Sequence, residues 1–193
     1  MEINTWYGSL RTRYVILYNT EQDIQVDVGF GSSCAVRPLP LKENAIVPYI
    51  APAEMRLVRD CIPEFTDKSQ RAWIYQVRYT PESKWLDNIC FSETEFLPQD
   101  FSVLNFYTSQ NPSSWFCQSF VCSLFLMNEN EQEIQGQCTM AGKEVKRRVH
   151  GQTEVLETLG SEDDRTQALA KWFGLHFRED EVQGIRGLPS QIK

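Results

Sequence analysis

Two short β-type runs form the first clear hydrophobic pattern along the chain. Residues 14–18 and 24–28 are rich in aliphatic and aromatic side chains, and the polar stretch 19–23 separates them. Such runs, bounded by turn-forming residues, are typical of two strands joined as a hairpin. The two-residue period of a strand puts Gln25 and Asp27 on one face of the second run and its three aliphatic residues on the other. We therefore expect Asp27 at the end of a strand, facing away from the apolar stripe.

Prolines interrupt the next part of the chain, at positions 38, 40, 48, 52 and 63. Proline lacks a backbone N–H and has a fixed φ angle, so this segment is predicted to be a long, partly ordered connection. Regular alternation resumes at residues 73–79, which predict a half-buried strand.

Residues 91–100 mix polar and aromatic side chains around Pro98 and mark the expected boundary between two domains, 1–100 and 101–193.

The second region is expected to begin as a sheet. Residues 120–127 predict a strand, and residues 134–140 with 144–149 predict a hairpin that turns at Ala141 and Gly142. Together with the first region, this pattern predicts an α+β protein that is mainly β.

One helix is predicted near the C-terminus. Ser161 and Asp164 have the spacing of a capping box, in which a hydroxyl and a carboxylate satisfy free N–H groups at the helix start. The helix should run to about Phe173, because Gly174 can adopt the positive φ that ends a helix.

Composition and charge exclude several classes of function. The 193 residues carry 19 basic and 26 acidic side chains, a net charge of −7, which repels a nucleic-acid backbone. The basic run 143–148 is interpreted as a solvated strand face. The sequence contains no run of eighteen apolar residues, so no membrane-spanning helix is predicted. Because the N-terminal residues lack the pattern of a secretory signal, a cytoplasmic location is expected.

The cysteines and histidines do not predict a metal site. The six cysteines form no Cys-x-x-Cys pair, and His150 and His176 have no cysteine at zinc-ligand spacing. Reduced thiols are expected, since the chain is longer than a typical disulfide-stapled domain.

The segment 27–31, Asp-Val-Gly-Phe-Gly, is the main candidate for chemistry. It places a carboxylate at a strand end, followed by two glycines that allow a sharp turn or a close approach to a ligand. From these residues alone, a structural turn is the simpler interpretation.

Several segments, in the same order along the chain, resemble the arylamine N-acetyltransferase family. They are residues 26–31 followed by 38–41, residues 90–101, residues 105–114, and the C-terminal pair 156–159 and 171–175. One such match would be common by chance, whereas four in the right order indicate relationship.

The resemblance implies a fold, a reaction and a site. The family has a helical bundle, then an antiparallel β-barrel, then a smaller α/β lid, so residues 1–100 would be the barrel domain and 101–193 the lid. It uses a Cys-His-Asp triad to transfer an acetyl group from acetyl-CoA to an arylamine, hydrazine or related small amine, without a metal. Asp27 matches the triad carboxylate. Oligomeric state does not follow from the resemblance.

Further site residues follow from the same resemblance. Phe30, with Gly29 and Gly31 beside it, matches the rim of the acceptor pocket, where an aromatic ring can stack on an aryl amine. Ser113 and Ser114 match a hydroxyl segment near the bound CoA. A simple Ser-Ser turn after Pro112 is an equally good interpretation of those two serines.

Two triad members are not found where the family places them. The position fifteen residues before Asp27 is Thr12, or Arg11 or Arg13 if the alignment moves by one residue. Neither histidine nor cysteine precedes Asp27. A substitute triad of Cys34 with His150 or His176 is disfavoured, because buried or satisfied cysteines and histidines are the usual finding.

Three explanations follow for a chain with the triad carboxylate alone. The chain is expected to be a truncated or partial copy of an acetyltransferase, which the codons upstream of Met1 would reveal. The alternative is a catalytically inactive homologue that binds CoA or another ligand or acts as a scaffold. A marginally folded relic, prone to aggregation, is the third.

Overall fold

A computed structural model describes the backbone of residues 3–8, 12–17, 23–27, 33–94 and 96–192 and the side chains of 23–26, 33–94 and 96–192. The chain divides into two compact units, Met1–Val103 and Leu104–Lys193.

The first unit contains two four-stranded antiparallel sheets. One sheet has the order β1-β2-β3-β4 and the other β5-β6-β7-β8. Within this unit β1 lies beside β8 and β4 beside β6. The strands are β1 Ile3–Gly8, β2 Thr12–Leu17, β3 Ile24–Asp27, β4 Leu39–Pro40, β5 Val47–Pro48, β6 Glu54–Asp60, β7 Ala72–Arg78 and β8 Leu86–Phe91.

The predicted hairpin in this unit is confirmed. β2 and β3 pair antiparallel, and β3 ends at Asp27 as expected. β1 pairs with β2 along its whole length and was not predicted from the sequence.

The proline-punctuated segment is more regular than expected. It contains β6, in which Met55 and Leu57 are fully buried while Arg56 between them is not. That alternation of apolar and charged residues was the signal for a strand. β7 also differs from its predicted half-buried character, because Ala72 to Tyr75 are buried on both faces.

The second unit holds one antiparallel sheet and most of the helices. Its sheet has the order β12-β11-β10-β9. The elements are α1 Pro98–Gln110, which crosses the junction between the units, α2 Trp115–Gln118, β9 Val121–Met127, β10 Ile134–Ala141, β11 Glu144–Val149, β12 Gln152–Thr158, α3 Glu162–Phe173 and α4 Glu179–Gln183.

The predicted hairpin of the second unit is confirmed, with Gly142 at φ 59° in its turn. The expectation that this region begins as a sheet is wrong, because α1 comes first. The apolar residues of α1 are spread around the helix, so Val103 and Phe106 are 70% exposed and no single stripe indicates a helix.

Helix α3 forms as the capping pattern predicts. The Ser161 hydroxyl accepts a hydrogen bond from the Asp164 N–H at 3.1 Å, and Gly174 ends the helix at φ 67°. Buried side chains of α3, Ala168, Leu169 and Phe173, belong to one apolar cluster with Met140 of the sheet. Burial of this face is the main stabilising term for the unit.

The predicted class, α+β and mainly β, is confirmed. Among the described residues, the strands of the first unit form two sheets and no single closed barrel. No helix within the described ranges has the length and apolar character needed to cross a membrane.

Candidate functional site

The candidate carboxylate, Asp27, has a defined place in the β2–β3 register. Tyr14 is its Cα partner on β2. Because every second residue of a strand returns to the same face, Thr12 shares that face and lies diagonal to Asp27, at about 7–8 Å for such neighbours. Arg13 falls on the opposite face, and Arg11 lies outside the described residues. The register therefore favours Thr12 over Arg13 as the residue at the histidine position.

The face that carries Gln25 is the buried one. Gln25 is 1% exposed and lies opposite Leu39 of β4, which is fully buried. Ile24 and Val26 are only half-buried. Pairing with β4 thus turns the polar face of this short strand inward.

Gln25 was not singled out from the sequence. Its carbonyl oxygen Oε1 is buried and meets no hydrogen-bond donor among the described residues. The sequence signal that could have pointed to Gln25 was an amide within a strand, two residues before the candidate carboxylate. Its burial could not be foreseen, because it depends on pairing with β4.

The acceptor-pocket residues Phe30, Gly29 and Gly31 lie outside the described residues. Their assignment as a pocket rim stays a prediction.

Ser113 and Ser114 lie in a turn between α1 and α2. The side-chain oxygen of Asn111 accepts hydrogen bonds from the Ser113 N–H at 2.9 Å and from its hydroxyl at 2.8 Å. The buried Ser114 donates its hydroxyl proton to the Thr108 carbonyl at 2.7 Å. The segment is an Asn-initiated turn that closes the end of α1.

This turn geometry restricts how the two serines can bind a ligand. Each hydroxyl donates its one proton to a protein acceptor, while a phosphate oxygen requires a donor. Ser113 is exposed and can reach a ligand by rotating away from Asn111, whereas Ser114 is buried. A contact of Ser113 with CoA stays a prediction, and Ser114 has a structural bond in this arrangement.

Three of the described thiols lie in surroundings that disfavour the thiolate. Burial raises the pKa of the Cys90, Cys122 and Cys138 thiols, and Glu64 raises that of Cys90 further. A raised pKa keeps a thiol protonated at neutral pH and lowers its nucleophilicity. None of the six cysteines forms a disulfide.

Other clusters within the described ranges do not form an obvious site. No group of three or more His, Cys, Asp or Glu residues there is placed to hold a metal ion. An open cleft of about 420 Å³ is lined in part by Ile62, Glu64, Ile74, Asp87 and Cys90. Its two carboxylates disfavour an anionic ligand such as CoA.

Comparison with known proteins decides the family. A family model described as N-acetyltransferase matches residues 13–182. The chain belongs to the arylamine N-acetyltransferase family.

The curated relatives of this family member carry a related but different name. The chain is similar to the N-malonyltransferase FDB2 of Fusarium pseudograminearum, with 32% identity over 88% of this chain and 52% of the relative. It is 34% identical to the N-malonyltransferase FDB2 of Gibberella moniliformis, over 83% of this chain and 48% of that protein. The chain thus spans about half the length of the curated relatives it matches.

Solved structures show the same fold. The arylamine N-acetyltransferase from Salmonella typhimurium superposes with a TM-score of 0.73 at 20% identity, over 95% of this chain and 67% of that one. The Mycobacterium abscessus enzyme gives 0.76 at 16% identity, over 94% of this chain and 63% of the other. The Mycobacterium marinum enzyme, solved in complex with CoA, gives 0.73 at 16% identity, over 95% and 67%.

Proposed function

We propose that this N-acetyltransferase family chain is the carboxylate-bearing part of an acyltransferase that moves an acetyl group from acetyl-CoA to an arylamine or related small amine. The chain contributes Asp27 to a Cys-His-Asp site. The proposal rests on the family match over residues 13–182 and on the register that places Asp27 at the end of β3, diagonal to position 12. The names of the curated relatives make malonyl-CoA the second donor to consider.

The proposed reaction has two acyl-transfer steps. The imidazole takes the thiol proton, and the resulting cysteine thiolate attacks the thioester carbonyl of acyl-CoA. The C–S bond to CoA breaks, and the imidazolium gives its proton to the sulfur, so that CoA leaves as its thiol. The amine nitrogen then attacks the acyl-cysteine carbonyl, the C–S bond to the cysteine breaks, and the imidazole takes the amine proton as the amide is released. In this scheme acyl-CoA is the only cosubstrate and no metal takes part.

Asp27 has one role in that scheme. Its carboxylate accepts the N–H of the imidazole, which fixes the ring orientation and stabilises the imidazolium that forms when the thiol ionises. Thr12 cannot replace the imidazole, because a hydroxyl is not a base at neutral pH. This chain therefore supplies the orienting group, and the nucleophile and the base have to come from elsewhere.

A second candidate function is ligand binding without turnover. Thr12 at the histidine position and the raised pKa of three described thiols favour it. Under this alternative the chain binds acyl-CoA or an amine and forms no acyl-cysteine. We also propose a cytosolic location for either activity, in keeping with six cysteines that form no disulfide.

Acyl-CoA binding by the purified chain tests both functions. We expect acetyl-CoA or malonyl-CoA to raise the midpoint of thermal unfolding, and intact-mass spectrometry to show no acyl adduct on any cysteine. An acyl adduct that Cys34→Ser abolishes would establish the substitute nucleophile instead. If neither acyl-CoA shifts the midpoint, the CoA-dependent function is wrong for this chain.

A further inference from the structure

Gln25 carries a buried polar group that the described side chains do not satisfy. The residue is 1% exposed, and its Oε1 meets no donor within residues 23–26, 33–94 and 96–192. Burying an unpaired carbonyl is unfavourable, and the large majority of buried side-chain polar atoms have a partner. An aliphatic residue would fill the same strand position at no such cost. A compensating interaction is therefore expected at the other end of the amide.

The residues on the same face as Gln25 indicate which group can accept a hydrogen bond from its side-chain amide. Asp27 follows two residues later on the same strand, so both residues belong to the same face, with about 7 Å between their Cα atoms. The other described positions of this face are uncharged at neutral pH: Asn4, Trp6 and Gly8 on β1, Thr12, Tyr14 and Ile16 on β2, and Leu39 on β4. Asp27 is thus the one ionised residue among these neighbours.

We propose that Gln25 is a positioning residue that donates a hydrogen bond from its side-chain amide Nε2 to the carboxylate of Asp27. The inference rests on the role proposed above for Asp27. The bond fixes one carboxylate oxygen on the buried face and leaves the other to accept the N–H of an imidazole. Gln25 touches no reacting atom in this scheme.

At position 25, a buried amide is more favourable than an aliphatic side chain only if its Nε2 donates a hydrogen bond to the Asp27 carboxylate. A hydrogen bond to an ionised acceptor is roughly twice as strong as one between neutral groups, which offsets the unpaired carbonyl at the other end of the side chain. The same bond stabilises the ionised form of Asp27, so it lowers the pKa of that carboxyl. A triad carboxylate has to remain ionised to stabilise an imidazolium.

The test measures the titration of Asp27 by NMR in the chain as it stands, with no need for turnover. In the wild type, we expect the Gln25 side-chain NH2 resonances to shift with pH at the midpoint of the Asp27 carboxyl. In Gln25→Met, which keeps the length and removes the amide, the Asp27 midpoint should rise by about one pH unit, a tenfold change in the protonation equilibrium.

Tyr14→Phe is the matched control, because Tyr14 is the cross-strand partner of Asp27 and also carries a donor. We expect it to leave the Asp27 midpoint within about 0.3 units. Wild-type NH2 resonances that do not follow Asp27, or a midpoint moved by Tyr14→Phe and not by Gln25→Met, would overturn the proposal. The wild-type titration gives this answer even if Gln25→Met fails to fold. Failure of the proposed function appears separately, as a missing response to acyl-CoA.

Discussion

Trp172 donates its indole N–H to the carboxylate of Glu157 at 2.9 Å, and so joins the last turn of α3 to the edge strand β12. Lys171 lies 3.3 Å from the same carboxylate and 4.6 Å from the indole ring. We predict that Trp172→Phe lowers the free energy of unfolding by about 1 kcal/mol, since it removes one hydrogen bond to a charged group at a partly exposed site. Urea denaturation measures the change. Lys171→Met is the control and should cost less than about 0.5 kcal/mol, because that ion pair is exposed.

The same carboxylate makes stability depend on acid pH. Hydrogen bonds from Trp172 and then Lys171 hold the pKa of Glu157 below its ordinary value of 4.5. A group with a lowered pKa in the folded state stabilises the fold above its unfolded pKa and loses that contribution as pH falls through its folded pKa. We predict that Glu157→Gln is less stable than the wild type at pH 7 and that the gap narrows steadily below about pH 4.5. A gap that stays constant down to pH 2.5 would contradict this assignment.

The two serines of the α1–α2 turn should separate stability from binding. Ser114→Ala is predicted to lower the free energy of unfolding by about 1 kcal/mol, because it removes the buried hydroxyl that donates to the Thr108 carbonyl. Ser113→Ala, at an exposed position, should cost less than about 0.5 kcal/mol. If Ser113 contacts CoA, only Ser113→Ala will reduce the thermal shift given by acyl-CoA. If both variants and the wild type show the same thermal shift with acyl-CoA, neither serine contacts CoA.

Arg165 holds the C-terminal segment against α3. Its guanidinium is almost fully buried, lies 3.2 Å from Glu162 and donates to the Ser190 carbonyl at 2.9 Å. The Ile192 N–H donates to the same Glu162 carboxylate. Arg165→Met is predicted to cost about 3 kcal/mol, since it leaves a mostly buried carboxylate without its counter-charge.

The double variant Arg165→Met with Glu162→Gln distinguishes charge pairing from packing. It should be more stable than Arg165→Met alone, because no uncompensated charge remains. Urea denaturation with limited carboxypeptidase digestion measures both effects, and faster loss of the terminal residues is expected from the single variant. A double variant that is less stable than the single one would show that packing dominates.

Gly136 and Gly142 provide a matched pair in the second sheet. A Cβ at Gly136 would collide with the Arg148 carbonyl oxygen and the Val149 side chain on the neighbouring strand. Gly136→Ala is therefore predicted to cost roughly 3 kcal/mol. Gly142 has open space around it and a φ of 59°, so Gly142→Ala should cost only about 1 kcal/mol of backbone strain. Urea unfolding ranks the two, and the reverse order would contradict the close approach at Gly136.

The elements found from the sequence are those with local signals. The β10–β11 hairpin has alternating strands around a glycine turn, and α3 has a serine cap and a glycine stop. β8 was missed because its sequence, Leu-Asp-Asn-Ile-Cys-Phe, does not alternate regularly, and its pairing with β7 contains a bulge. Its partner β7 directly precedes it along the chain, so the missing signal was regular alternation in β8 itself and not a distant pairing.

In the candidate site too, features with a local sequence signal were predicted and those set by long-range strand pairing were not. The end of β3 at Asp27 follows from local alternation and was foreseen. The burial of Gln25 depends on Leu39, fourteen residues later and on another strand, and was not. Which face of a short strand points inward is decided by the strands that pair with it, and the sequence pattern of β3 alone does not show it.

The pairing of Tyr14 with Asp27 also affects how sequences of this family should be aligned. A connection between two strands can gain or lose residues at little energetic cost while the pairing stays intact. A slip of one residue in the pairing itself would turn every side chain of β3 to the opposite face. Insertions between β2 and β3 are therefore physically inexpensive, and residue counting across that connection is a poor guide to homologous positions. Alignments of distant members should be anchored on the parity of the paired strands, which decides what stands beside the carboxylate.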